Sequence, residues 1–104
     1  MSFECISIEE AQQIIAEGNV TIADVRDEAS FRQSHIANAH SLNNSTLELF
    51  VEDTDKALPL IVYCYHGHSS QGAAQYLSQQ GFNPVYSMDG GFEQWRQEYP
   101  VVND

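Results

Sequence analysis

The chain has 104 residues, 42% of them hydrophobic, and sets 15 acidic side chains against 4 basic ones for a formal charge of −11. That length suits one domain, residues 1–104, able to bury about two-thirds of the surface its unfolded form exposes without help from a disulfide or a metal. The acidity excludes nucleic acid and anionic membranes as partners, no stretch approaches the roughly 20 apolar residues of a membrane span, and two cysteines with no export signal point to a cytoplasmic protein.

Phe3 to Ile6 alternates as a short strand, and its Cys5, with no loop signal nearby, is expected to be a buried structural residue. Ser7-Ile8-Glu9-Glu10 is a capping box, opening a helix with Ile8, Ala11, Ile14 and Ile15 at helical spacing and Gly18 as its stop. Val20 to Val25 is a second strand. Asp27 to Gln33 makes a short helix anchored by Phe31, an extended stretch follows from His35 to Leu42, and Ser45 to Phe50 is a further short helix.

Pro59 opens the strongest strand, Leu60 to Tyr63, which is apolar at every position and so suits the centre of a parallel sheet covered on both faces. From Ser69 or Ser70 to Gln80 a helix fits, with Ala73, Ala74 and Leu77 as its buried stripe and Gly81 at its end. Val85 to Met88 is another strand, Asp89-Gly90-Gly91 a turn, and a last helix carries Phe92 and Trp95 on one face. Strands alternating with helices imply an α/β domain, and ligands of such sheets sit outside the carboxyl ends of the strands. Cys64 stands there, directly after the most apolar strand and before a helix.

Cys64 has three readings. As a buried structural residue it would not need the polar, glycine-bearing loop Tyr65 to Ser70. As a zinc ligand with His66 and His68 it would use tighter spacing than paired ligands adopt, and those side chains would have to enter a space that backbone amides fill. As a nucleophile it gains from Gly67, which lets successive N–H groups converge, and from the amino end of the following helix. An ordinary thiol is about 3% ionised at pH 7, and lowering its pKa by about two units makes it about three-quarters thiolate. Backbone dipoles suffice for this, as they must in so acidic a chain. The nucleophile is the favoured reading, with no metal and no cofactor expected. A cysteine phosphatase would need an arginine six residues after the cysteine, where this chain has Ser70.

Four landmarks in order, Asp24-Val25-Arg26-Asp27, Ser30 to Ala39, Tyr63 to Leu77 and Tyr86 to Trp95, make the whole chain resemble the rhodanese family. The likeness is to its short single-domain thiosulfate sulfurtransferases of the GlpE type. The resemblance implies a rhodanese-like α/β fold, a central parallel sheet flanked by helices on both faces. It also implies that Cys64 is the catalytic residue and carries sulfur as a persulfide, cradled by Tyr65, His66, Gly67, His68, Ser69 and Ser70, with Asp24 and Arg26 bracing the loop. Thiosulfate is then the donor, and cyanide or a thioredoxin-like dithiol protein the acceptor.

Two positions depart from the family pattern. Many rhodaneses hold thiosulfate with a basic residue in or after the loop, whereas this chain has His66 and His68, so weak thiosulfate binding is expected. Ser34 stands before His35 where glycine is common. His35 and His40 read as packing or hydrogen-bonding residues, and Phe92 and Trp95 as core. Two other functions compete: a persulfide relay fed by a partner protein, and a non-enzymatic binding module, against which an intact Cys64 argues.

Overall fold

Strands and helices alternate along the chain as the apolar pattern predicts. The computed structural model describes residues 2–103. In chain order it holds β1 (Glu4–Ile6), α1 (Ile8–Glu17), β2 (Thr21–Asp24), α2 (Glu28–Gln33), β3 (His40–Ser41), α3 (Leu47–Asp53), β4 (Leu60–Tyr63), α4 (Ser69–Gln79), β5 (Val85–Met88) and α5 (Gly91–Glu98). The five strands form one sheet in the order β1-β5-β4-β2-β3, parallel at every pairing. This is the expected α/β architecture, with the continuous apolar strand β4 at its centre.

Successive side chains of a strand point to opposite faces, and here the alternation divides the core in two. Ile61 and Tyr63 of β4 join Ile22, Met88, Ile8 and Ala11 of α1 and Phe92 and Trp95 of α5 in one cluster. Leu60 and Val62 point the other way, toward Phe50 of α3 and Ala74 and Leu77 of α4. Both faces are thus covered, and Phe92 and Trp95 are core as expected. Such two-sided burial demands an apolar residue at every position of β4, which is why its sequence lacks alternation.

The capping box holds: Glu10 N–H donates to Ser7 Oγ at 3.1 Å, Ser7 N–H donates to the Glu10 carboxylate at 3.0 Å, and Gly18 closes α1 with a positive φ of 83°. Helix α3 starts later than expected. Asn43 Oδ1 accepts from the amides of Ser45 and Thr46, and Thr46 Oγ1 accepts from Asn43 N–H. This side-chain turn holds residues 43–46, and the helix begins directly after it at Leu47. Phe31 is half-buried and stacks on the buried His35 ring at 3.9 Å, while the exposed His40 meets Phe50 edge-on at 5.6 Å.

Cys5 requires a correction: it is exposed, not buried. Strand β1 lies at the sheet's edge, paired with β5 alone, so its outer flank has no neighbour to cover it. Alternation in a three-residue strand does not distinguish an edge from a centre.

Candidate active site

Tyr63 ends β4 and Cys64 follows it, so the cysteine continues the face that Leu60 and Val62 share. Its sulfur turns into the loop ahead. The N–H groups of Gly67 and Ser70 both donate to Cys64 Sγ, each at 3.2 Å. Gly67 reaches that position with φ of +95°, where a side chain would be strained and a Cβ would lie 3.1 Å from Gly90 N. Ser70 belongs to the first turn of α4, whose N–H groups have no partners within the helix. Burial of Cys64 pushes its thiol pKa up, but the Ser70 hydroxyl and the amides of Ser70, Gly67 and His66 outweigh this and hold it below the ordinary value.

The loop's carbonyls are fixed from the other side. Phe92 N–H donates to Cys64 O at 2.8 Å and Glu93 N–H donates to Tyr65 O at 3.0 Å, so the amino end of α5 rests on the loop. Only glycine permits that approach, since a Cβ on Gly91 would stand 2.4 Å from Tyr65 O and 2.6 Å from Cys64 O. The cysteine loop is therefore suspended between two helix amino ends: α4 supplies donors to the sulfur, and α5 supplies donors to the backbone.

Tyr65 is exposed and reaches toward α2. Its hydroxyl donates to Asp27 Oδ1 at 2.6 Å and also meets the Ser30 hydroxyl. That bond comes first among those that hold the exposed Asp27 carboxyl down to about 2, ahead of the Ser30 amide and hydroxyl. Asp27 is also the N-cap of α2, so Tyr65 ties the loop to that helix.

Asp24 and Arg26 form a buried ion pair, with guanidinium nitrogens donating to the carboxylate at 2.7 and 3.1 Å and Arg26 N–H donating to it at 2.8 Å. The same guanidinium donates to Ser34 O at 2.7 Å and lies 3.9 Å over the Phe92 ring. It stands 5.5 Å from the ring of Tyr65, so the pair braces the loop's surroundings and makes no bond to the sulfur.

Of the six loop residues singled out by sequence, Gly67 and Ser70 are buried and bond the sulfur directly. His66 contributes its amide, whereas its side chain is exposed. His68 and Ser69 are exposed, and among the described residues no hydrogen bond joins either to Cys64. Four residues of the site escaped the sequence reading: Asp27 and Ser30 as the tyrosine's partners, Gly91 as the contact glycine, and Ser87, whose hydroxyl meets that of Ser70. The Gly90-Gly91 pair after a strand was a usable signal for the third. Asp27, Ser30 and Ser87 come from distant segments and carry no local mark.

All four basic side chains are engaged: Arg26 with Asp24, Arg32 with Glu28, Arg96 with Glu93, and Lys56 with the carbonyl of Val51. A groove of about 460 Å³ is lined by Val25, Arg26, Asp27, Leu42, Leu47 and Tyr76 among others, and neither Cys64 nor residues 65–70 belong to its wall.

The model of the rhodanese-like domain family matches residues 7–98 of the chain. Among solved structures, a rhodanese-related protein from Thermoplasma volcanium is similar, with 29% identity and a TM-score of 0.82 over 98% of this chain and 100% of that one. A rhodanese-like domain protein from Staphylococcus aureus matches at 22% identity and a TM-score of 0.83, covering 98% and 99% of the two chains. The fold is also that of a Rhodopseudomonas palustris protein of unknown function described as a possible tyrosine phosphatase, at 23% identity and a TM-score of 0.82, covering 96% of this chain and 85% of that one.

Proposed function

The chain belongs to the rhodanese-like domain family, and from that premise we propose that it is a sulfurtransferase that carries sulfane sulfur on Cys64, with thiosulfate as donor. The observation that carries this reading is the pair of backbone N–H groups aimed at Cys64 Sγ, each at 3.2 Å. They stabilise negative charge on the sulfur before reaction and on the persulfide after it.

In the first half-reaction the Cys64 thiolate attacks the outer sulfur of thiosulfate. A sulfur–sulfur bond forms as the bond to the sulfite sulfur breaks, and sulfite departs with the electron pair. In the second, a nucleophilic acceptor such as cyanide or the thiolate of a dithiol protein takes the terminal sulfur, and the Cys64 thiolate is the leaving group. The sequence of events is covalent and ping-pong. Neither half needs a general base once Cys64 is ionised, which fits a loop whose His66 and His68 rings make no bond to the sulfur.

The same geometry argues against phosphatase chemistry. The position six residues beyond the cysteine holds Ser70, and with every arginine already engaged elsewhere no guanidinium is left to clamp a phosphate. A second reading has support of its own. Asp27 and Glu93 both bond Tyr65 of the loop, and among the described residues every lysine and arginine is engaged elsewhere, so the site offers a small dianion little attraction. A persulfide brought on a partner protein needs no such attraction, and the domain would then act as a relay.

Intact mass after incubation with thiosulfate tests the proposal. A gain of about 32 Da, one sulfur, that cyanide reverses and Cys64→Ser abolishes is the expected result. No gain at millimolar thiosulfate, with rapid gain from a protein persulfide, selects the relay. No gain from either sinks sulfur transfer altogether.

A further inference from the structure

Helices α3 and α4 leave a groove between them that the sulfur chemistry does not use. Its first part is the cavity of about 460 Å³ at the carboxyl ends of β2 and β3. Through three shared residues, Asn44, Leu47 and Tyr76, it continues into a second cavity of about 340 Å³ that Glu48, Val51, Glu52 and Gln80 also line. Val25, Leu47, Val51 and Ala73 are half-buried and packed on the core cluster beneath them, so the floor is apolar and held in place. Tyr76 stands 42% exposed on the rim.

Length and charge describe what fits. Along α4 the groove runs from Ala73 to Gln80, about 10 Å of helix or two turns. Carboxylates bound it: Glu48 and Glu52, both exposed on α3, and Asp27 at the far end. Among the described residues no salt bridge reaches Glu48 or Glu52. Arg26, the cation in the wall, is buried and bonded to Asp24 and to the Ser34 carbonyl, and Lys56, beyond α3, is turned to the Val51 carbonyl and the Phe82 ring. A second copy of this chain, itself at −11, would set like charge against that rim. A segment with an apolar face flanked by lysines or arginines matches both floor and rim, in the manner of an amphipathic helix laid in a groove.

We propose that this groove docks the protein that exchanges sulfur with Cys64, through a basic amphipathic segment of about two helical turns. The inference rests on the sulfurtransferase reading. Short links join the groove to the sulfur. Asp27, in its wall, accepts from the Tyr65 hydroxyl at 2.6 Å, and Tyr65 follows Cys64 directly. Ala73 lies one turn along α4 from Ser70, whose amide donates to Cys64 Sγ. A segment seated in the groove therefore ends beside the cysteine loop. A partner thiolate next to that segment takes the outer sulfur of the persulfide, and the Cys64 thiolate leaves with the electron pair. Recognition comes from the groove, so the loop needs no cation of its own.

Three synthetic peptides test this, alike in a leucine stripe at helical spacing and a terminal cysteine, with lysine, glutamine or glutamate at the flanking positions. Fluorescence anisotropy of their serine-for-cysteine versions, titrated with the full chain, reads docking without any sulfur chemistry. Affinity is expected to fall in the order lysine, glutamine, glutamate, and that of the lysine peptide to weaken as salt rises. Glu48→Gln with Glu52→Gln should weaken the lysine peptide by about three- to tenfold and leave the glutamine peptide unchanged. Tyr76→Ala should weaken both by about tenfold. All three side chains are exposed, so these variants keep the fold. In single-turnover transfer from thiosulfate-loaded protein, the cysteine peptides should follow the same order, whereas dithiothreitol, too small to use the groove, should react with every variant at the native rate. No binding of any peptide at millimolar concentration, equal affinity for the lysine and glutamate peptides, native affinity in Tyr76→Ala, or transfer rates indifferent to peptide charge overturns the proposal. Self-association of the chain that Tyr76→Ala abolishes overturns it too, by making a second copy the occupant. Docking as expected in a protein that gains no sulfur would instead overturn the sulfurtransferase reading, while the groove's basic partner stands.

Discussion

Cys64 and Cys5 sit on one parallel sheet and face the same helix layer, yet their surroundings treat the thiol in opposite ways. Cys5 stands opposite Ser87 in the β1–β5 register, and Ser87 meets the Ser70 hydroxyl beside Cys64. Cys5 is open to solvent, whereas Cys64 is 4% exposed. The exposed thiol is pushed up by partial burial, then by the charge of Asp89 and a hydrogen bond to it. The buried one is brought down by donors that outweigh a larger desolvation. Accessibility and thiol acidity therefore part company in this fold. What sets the two thiols apart is the character of their neighbours, N–H groups at Cys64 and the Asp89 carboxylate at Cys5.

The broadest test of this contrast is the rate of alkylation at each cysteine against pH. If dipoles govern, the Cys64 profile has its midpoint below the ordinary thiol value of about 8.5 and the Cys5 profile above it. At pH 7 ionisation alone then favours Cys64, because an ordinary thiol is only about 3% thiolate there and the two cysteines shift from it in opposite directions. Faster modification of Cys5 throughout would mean that exposure governs after all.

Gly91→Ala probes the backbone that holds the donors in place. The new methyl would collide with the carbonyls of Cys64 and Tyr65, which accept from the first turn of α5. We expect a loss of about 3 kcal/mol in denaturant unfolding, typical of backbone strain joined to lost hydrogen bonds. In the folded fraction Cys64 alkylation should slow about tenfold while Cys5 keeps its rate, so that the two cysteines converge. An unchanged ratio would show that the loop holds its shape without α5.

How much of this was legible beforehand divides along the same line. Strand β4, the capped helix α1 and the loop after Cys64 are written in local patterns: an apolar run, a Ser-x-x-Glu box, a glycine after a cysteine. Local patterns also carry the donor chemistry, because the amides that meet Cys64 lie within six residues of it. The exposure of Cys5 and the roles of Asp27, Ser30, Ser87 and Gly91 depend on which strands and helices become neighbours. Tyr65 and Asp27 are 38 positions apart, and Ser70 and Ser87 are 17. No periodicity connects them. The edge position of β1 is likewise a property of the sheet order, which three alternating residues cannot encode.

The narrowest test alters Cys5 alone. Asp89 follows β5, and its N–H donates to Ile6 O at 2.8 Å, an anchor that the side chain does not share. Asp89→Asn keeps that backbone bond and the side chain's size while removing the charge that faces the Cys5 thiol. The Cys5 midpoint should then fall toward its ordinary value, with partial burial still acting in the other direction, and alkylation of Cys5 at pH 7 should rise by about threefold, the size of a single exposed charge interaction. Because that interaction is open to solvent, added salt should reproduce part of the gain in the native protein and none in the variant. Cys64 should be indifferent to both changes, since its donors are backbone and serine groups and Asp89 is not among the causes of its shift. An equal rise at Cys64 would show that the Asp89 charge acts on the whole mouth, and the local environments would not be as separate as their hydrogen bonds make them.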